Sequence, residues 1–110
     1  MGKKERDKGG RGEREIVNRL KAAGFPGAYR NLNDKVDGKG TDIFAGNMDI
    51  QVKYWKKYAP ISKYGEVAGG PGRIKLLVTK GTEAREPWMV CLSLEDFLMI
   101  CNDIGVLYND

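Results

Sequence analysis

Apolar residues recur at helical spacing at Ile16, Val17, Leu20 and Ala23, and Gly24 follows as a natural stop, so an amphipathic helix is expected over 12–23. Residues 1–11 hold no apolar side chain after Met1 and are expected to be a flexible basic arm ahead of a single domain, 12–110. Pro26-Gly27 marks a turn into a short strand from Ala28 to Asn31, and the polar, Gly-rich residues 32–40 read as a loop. Thr41 to Ala45 then reads as a strand, Gly46-Asn47 as a two-residue hairpin turn, and Met48 to Trp55 as the return strand. Strand alternation puts Ile50, Val52 and Tyr54 on one face and Gln51, Lys53 and Trp55 on the other. With that turn Asp42 is expected opposite Gln51, their Cβ atoms about 4.5–5.5 Å apart, with Lys53 two residues further along the same face. Residues 56–73 are broken by Pro60, Gly65, Gly69-Gly70, Pro71 and Gly72, and are expected to be a loop with room for one helical turn. Ile74 to Thr79 and Pro87 to Leu92 read as strands. Ser93 with Asp96 resembles a capping box, opening a helix from Leu94 to Asn102 with Leu94, Phe97, Leu98 and Cys101 on one face. The pattern predicts an α/β fold: an N-terminal helix on a central mixed sheet of about five strands, and a C-terminal helix.

Composition narrows the chemistry. At 110 residues the chain is one domain's length, and 41% hydrophobic with 31% charged residues is a globular balance. No apolar run reaches the ~20 residues of a membrane helix. The opening Met-Gly-Lys-Lys-Glu-Arg has the pattern of neither a secretory signal nor a myristoylation site, so no membrane partner is expected. Histidine is absent, which removes Ser-His-Asp, Cys-His and H-E-x-x-H chemistry. Cys91 and Cys101 are too few for a cysteine zinc site and read as reduced thiols of a cytoplasmic protein. Catalysis would fall to carboxylates, lysines, hydroxyls or an oxygen-liganded metal.

The net charge of +4 is unevenly spread: +5 over residues 1–30, −2 over 31–52, +6 over 53–80 and −5 over 81–110. Basic segments around an acidic one suit a polyanion such as nucleic acid, with carboxylates for a metal and cations for phosphate. Gly38-Lys39-Gly40-Thr41 is not a Walker loop, since position 33 is Asn where that motif needs Gly. Glu13 lies along the apolar stripe of its helix, either as a paired or metal-bound acid or as a first-turn acid favouring the helix dipole. Asp42 with Lys53 is either part of a metal site or an ordinary salt bridge. Tyr54, Trp55, Lys56, Lys57 and Tyr58 interleave aromatics with lysines, either as a DNA-contact ribbon or as a core tyrosine beside solvated surface.

A helix acid, an Asp in one strand and Gln-x-Lys in the next is an order that resembles the PD-(D/E)xK nuclease superfamily. Thr41-Asp42 stands in place of Pro-Asp, and Gln51-Val52-Lys53 in place of (D/E)-x-K. More narrowly, Gly12 to Val17, Leu20, Gly24-Phe25, Arg30, Thr41 to Ile43, Ile50 to Lys53 and the run from Leu76 to Leu98 resemble archaeal-type Holliday junction resolvases and their small phage-encoded relatives. The resemblance implies a restriction-endonuclease-like core, a bacterial, archaeal or phage origin, and a Mg²⁺-dependent endonuclease, with Mn²⁺ able to substitute. Its substrate would be branched DNA, foremost the four-way junction, whose two symmetric cuts imply a homodimer. It makes Glu13, Asp42, Gln51 and Lys53 the catalytic set, with Asp42, Gln51 and Glu13 on the metal. Arg11, Arg14, Arg30, Lys39, Trp55, Lys56, Lys57, Lys63 and Arg73 are the candidate DNA contacts. Gln51 departs from the pattern: an amide oxygen can ligate Mg²⁺ but brings no negative charge. That leaves three alternatives: a DNA-binding module with the nuclease fold but no catalysis, a restriction- or repair-type nuclease on duplex or flap DNA, and a structural protein with a basic surface.

Overall fold

A computed structural model of the chain describes residues 3–32, 40–81 and 87–104. Along them run helix α1 (Lys3–Ala22), strands β1 (Tyr29–Arg30), β2 (Ile43–Ala45) and β3 (Met48–Trp55), a 3-10 helix (Ile61–Glu66), strands β4 (Ile74–Gly81) and β5 (Met89–Cys91), and helix α2 (Leu94–Ile104). The five strands make one mixed sheet in chain order. β3 and β4 are parallel and the other neighbours antiparallel.

The first helix begins earlier than the expected 12–23. It starts at Lys3 rather than at residue 12, so the backbone of 3–11 is helical. Apolar periodicity reports only the buried stretch of a helix, and backbone hydrogen bonds can carry it further. Its end matches the expectation. Gly24 takes φ 112°, the Phe25 amide donates to the Leu20 carbonyl at 2.9 Å and the Gly24 amide to the Lys21 carbonyl at 3.3 Å. This is a Schellman cap, which an L side chain at position 24 would strain.

The hairpin register is the one the two-residue turn requires: Ala45 faces Met48, Phe44 faces Asp49 and Ile43 faces Ile50. Alternation then sorts the sheet into two faces. On one, Ile43, Ala45, Ile50, Val52, Ile74, Leu76 and Val78 meet Ile16 and Val17 of α1 and form the main core. Gly12 sets how closely the helix approaches, because a methyl there would lie 3.1 Å from Tyr54 Cβ and 3.3 Å from the Trp88 ring. Leu77 points to the other face, and Ala59 and Val67 of the crossover 56–73 are buried outside the main core as well; the crossover also holds the expected helical turn as its 3-10 helix. Thr79 stitches this crossover down: its hydroxyl accepts from the Ala59 amide and donates to the Lys53 carbonyl, both at 2.9 Å. Arg73 ties the crossover's far end to the hairpin, donating to the Asp49 carboxylate (Nε, 3.0 Å) and to the Gly46 and Met48 carbonyls.

The last helix differs from a simple packed element. Ile100 joins the main core, but the predicted apolar stripe stays largely in solvent, with Leu94, Phe97 and Leu98 69%, 46% and 52% exposed. Its cap is shared: Ser93 Oγ accepts from the Asp96 amide at 3.0 Å, as expected. The Ser93 amide donates to the Tyr64 hydroxyl at 3.2 Å rather than completing a box; Asp is one methylene shorter than the Glu that usually reaches back. Among the described residues no helix is long and apolar enough to cross a membrane.

Candidate active site

The site forms where β2 parts from β3. Regular pairing stops at Ile43–Ile50. One residue earlier the Asp42 amide donates to the Ile50 carbonyl at 2.8 Å, so Asp42 leaves the simple register that would face it to Gln51. Its carboxylate instead turns to the strand edge, where Oδ2 accepts from the Val52 amide at 2.8 Å. Val52 lies between Gln51 and Lys53 in the strand, so the Asp42 carboxylate is anchored to the β3 backbone between these two residues. Asp42 and Gln51 are both buried. Gln51 engages its surroundings, while its carbonyl oxygen Oε1 is a buried acceptor that receives no hydrogen bond.

Glu13 lies on the helix side of the sheet, away from Gln51 and Lys53. Its carboxylate accepts from Arg30 Nε at 3.1 Å. Arg30 pairs with Ile43, on the face that α1 covers. The next residue, Asn31, anchors the loop before β2: its backbone amide donates to the Asp42 carbonyl at 2.8 Å and its side-chain amide to the Thr41 carbonyl at 2.9 Å. Glu13 is therefore linked to Asp42 through Arg30 and Asn31, whereas Gln51 and Lys53 point to the crossover face. Among the described residues no group of three or more His, Cys, Asp or Glu side chains is arranged to hold a metal ion. The oxygen donors for a metal are thus Asp42 and the Gln51 amide, with Glu13 beside Arg30. One carboxylate plus neutral oxygens still suits Mg²⁺, which keeps several waters and commonly takes one or two carboxylates with substrate phosphate. The donor set fits.

Glu66 is the acid that sequence reasoning missed. It sits at the end of the 3-10 helix, with its carbonyl accepting from the Gly40 amide at 3.4 Å, just ahead of Thr41-Asp42. Its carboxylate accepts from Lys63 Nζ at 2.8 Å and lies 4.0 Å from Lys53 Nζ. No periodicity marks it in a glycine-broken stretch, but one signal was available: it is the single acid among seven bases in residues 53–80. Glu15 was also missed as a tertiary contact; it accepts from the Trp88 indole at 3.0 Å and pairs with Arg19.

The candidate DNA contacts divide by location. Arg11 and Arg14 are exposed on α1, and a methyl on Gly10 would lie 3.3 Å from Arg14 Nη1 and 3.6 Å from Arg30 Nη2, so these guanidiniums flank one glycine. Trp55 at the end of β3 and Lys56 and Lys57 just beyond it are exposed, with Lys63 half-buried and its Nζ 5.8 Å from the Trp55 ring. Arg73 is engaged in the hairpin clamp, and Lys39 lies outside the described residues. No family model matches the chain, and no curated protein or solved structure does either.

Proposed function

We propose that this chain is a divalent-metal-dependent DNA endonuclease with a restriction-endonuclease-like fold, acting on branched DNA and foremost on four-way junctions as a two-fold dimer. The observation that carries the reading is the Asp42 carboxylate anchored on the Val52 amide, between Gln51 and Lys53 in sequence, at the point where two strands separate. In this reading a phosphate is met at the strand fork, and the flanking segments supply the cations.

In this reading Asp42 and Gln51 hold the ion, with Glu13 steering Arg30. When bound, the ion supplies Lewis-acid polarisation of a phosphoryl oxygen. Lys53 stands beside that position and stabilises charge developing on the phosphate, or orients the attacking water. Arg30, turned by Glu13, grips a neighbouring phosphate. Val52 contributes its backbone amide, which fixes the Asp42 carboxylate and so the ion's place.

A second reading, a DNA-binding module without catalysis, is favoured by the neutral Gln51 and by the absence of a three-acid metal group among the described residues. Incubation of the purified chain with a synthetic four-way junction, a flap and a linear duplex, in Mg²⁺ and in Mn²⁺, separates the readings. The proposal expects metal-dependent cuts in the junction, lost in Asp42→Ala and Lys53→Ala. Cuts confined to duplex or flap favour the restriction- or repair-type reading. Salt-sensitive junction binding with no cleavage in either metal favours the binding module. Cleavage undiminished in either variant removes that residue from the mechanism.

A further inference from the structure

Trp55 ends β3 and is 38% exposed, and among the described residues its strand neighbours place no side chain over it. On one side its strand partner is Gly81, which has no side chain. A methyl at position 81 would sit 3.1 Å from the Lys56 carbonyl oxygen, so the chain leaving Trp55 requires that glycine. On the other side β2 has already parted from β3 at Ile43. Two ammonium groups stand around the ring: Lys53 Nζ is 5.6 Å and Lys63 Nζ 5.8 Å from its centroid. Both are near the outer limit of about 6 Å for cation–π contact, so neither closely caps the ring. Glu66 lies between them, and Lys56 and Lys57 follow Trp55 in the chain, so among the described residues bases outnumber acids around the ring.

We propose that Trp55, Lys53 and Lys63 form a subsite for one unstacked nucleotide, the base lying on the indole and its phosphate reaching the ammonium groups at the rim of the ring from the side away from Glu66. The proposal rests on the nuclease reading for its DNA and deepens it. Lys53 belongs both to the candidate active site and to the rim of the Trp55 ring, at a spacing comparable with that from a nucleotide's base to its own phosphate. The scissile phosphate is therefore the one beside an unstacked base, which a branch point supplies and an intact duplex does not. The ligand class is single-stranded or locally unpaired DNA with no base preference, since every base presents a π face.

The test needs no catalysis. A short oligothymidylate is titrated, without metal, into the unaltered chain and into Trp55→Phe, and tryptophan emission is followed. The chain has two tryptophans, so the difference between the two titrations isolates Trp55. The subsite predicts quenching in the unaltered chain that is missing in Trp55→Phe. It also predicts oligothymidylate binding weakened roughly 10-fold or more in Trp55→Ala, partly kept in Trp55→Phe, and no Trp55 quenching by a backbone of abasic sugars. Unchanged Trp55 emission in a chain that still binds the junction overturns the subsite and leaves the nuclease reading standing. Quenching at Trp55 in a chain that cuts no DNA leaves the subsite standing and removes the nuclease. Equal affinity of Trp55→Ala and the unaltered chain for oligothymidylate overturns the subsite outright.

Discussion

Asp42 and Asp49 are both buried aspartates of one hairpin, and their partners separate their roles. Asp49 faces the Arg73 guanidinium, which also holds two carbonyls of the hairpin. Asp42 holds a backbone amide at the strand fork. Asp42→Asn keeps an acceptor for that amide and deletes the charge. It is expected to lower metal-dependent junction cleavage by at least about 100-fold while the urea unfolding midpoint stays nearly unchanged. Asp49→Asn should do the reverse. Breaking a buried pair costs about 3–5 kcal/mol, and because Arg73 keeps a third of its side chain in solvent the expected loss is about 1–3 kcal/mol, read by urea unfolding with cleavage by the folded fraction retained. The sequence could not sort these two acids. Arg73 lies 24 positions from Asp49, and local alternation gives both the look of strand acids. What it could place was the hairpin itself, because Gly46-Asn47 fixes the register and the register fixes which side chains share a face.

Within α1 three glycines stand in a helix, Gly9, Gly10 and Gly12, each about 1 kcal/mol less favourable than alanine. Their surroundings differ, and so do the expected effects of filling them. At Gly9 a methyl meets nothing within 4 Å, so Gly9→Ala should raise stability by about 1 kcal/mol. At Gly12 the methyl presses on Tyr54 Cβ, part of a strand that cannot yield cheaply. Overpacking of about 1–3 kcal/mol outweighs the gain in helix propensity, and Gly12→Ala should lose about 1 kcal/mol net. Urea unfolding of the two variants side by side checks both signs; stabilisation by both would mean that the α1–β3 contact relaxes. The end of this helix was legible because a Schellman cap is a local device written by Gly24. Its beginning was not, since the helix there continues beyond the buried stripe that periodicity detects. The same limit applies to α2: the apolar pattern of Leu94, Phe97 and Leu98 foretold a helix but could not tell which face would be covered.

At the scale of the whole molecule, that exposed stripe is one of two exposed apolar places in the C-terminal part, the other being Met89 and Val90 of edge strand β5. If two symmetric cuts are the task, this is the surface through which two copies would meet in the proposed dimer. Phe97→Glu with Leu98→Glu should then halve the mass found by sedimentation equilibrium, with the circular dichroism spectrum unchanged; a single-chain mass for the unaltered protein would remove the dimer from the proposal. The α/β class and the five-stranded mixed sheet were readable because each strand carries its own alternation and each turn its own glycine or proline. Glu66 was not, because it acquires its neighbours Lys53 and Gly40 only when the crossover folds back over the sheet. That crossover has a double duty. The excursion of chain that makes the central parallel seam possible also roofs the side of the sheet where Gln51 and Lys53 point. In the proposed nuclease, substrate preference and the integrity of the middle of the sheet would therefore share one stretch of polypeptide, and lengthening or trimming it to suit a different DNA shape would loosen the seam at the same stroke.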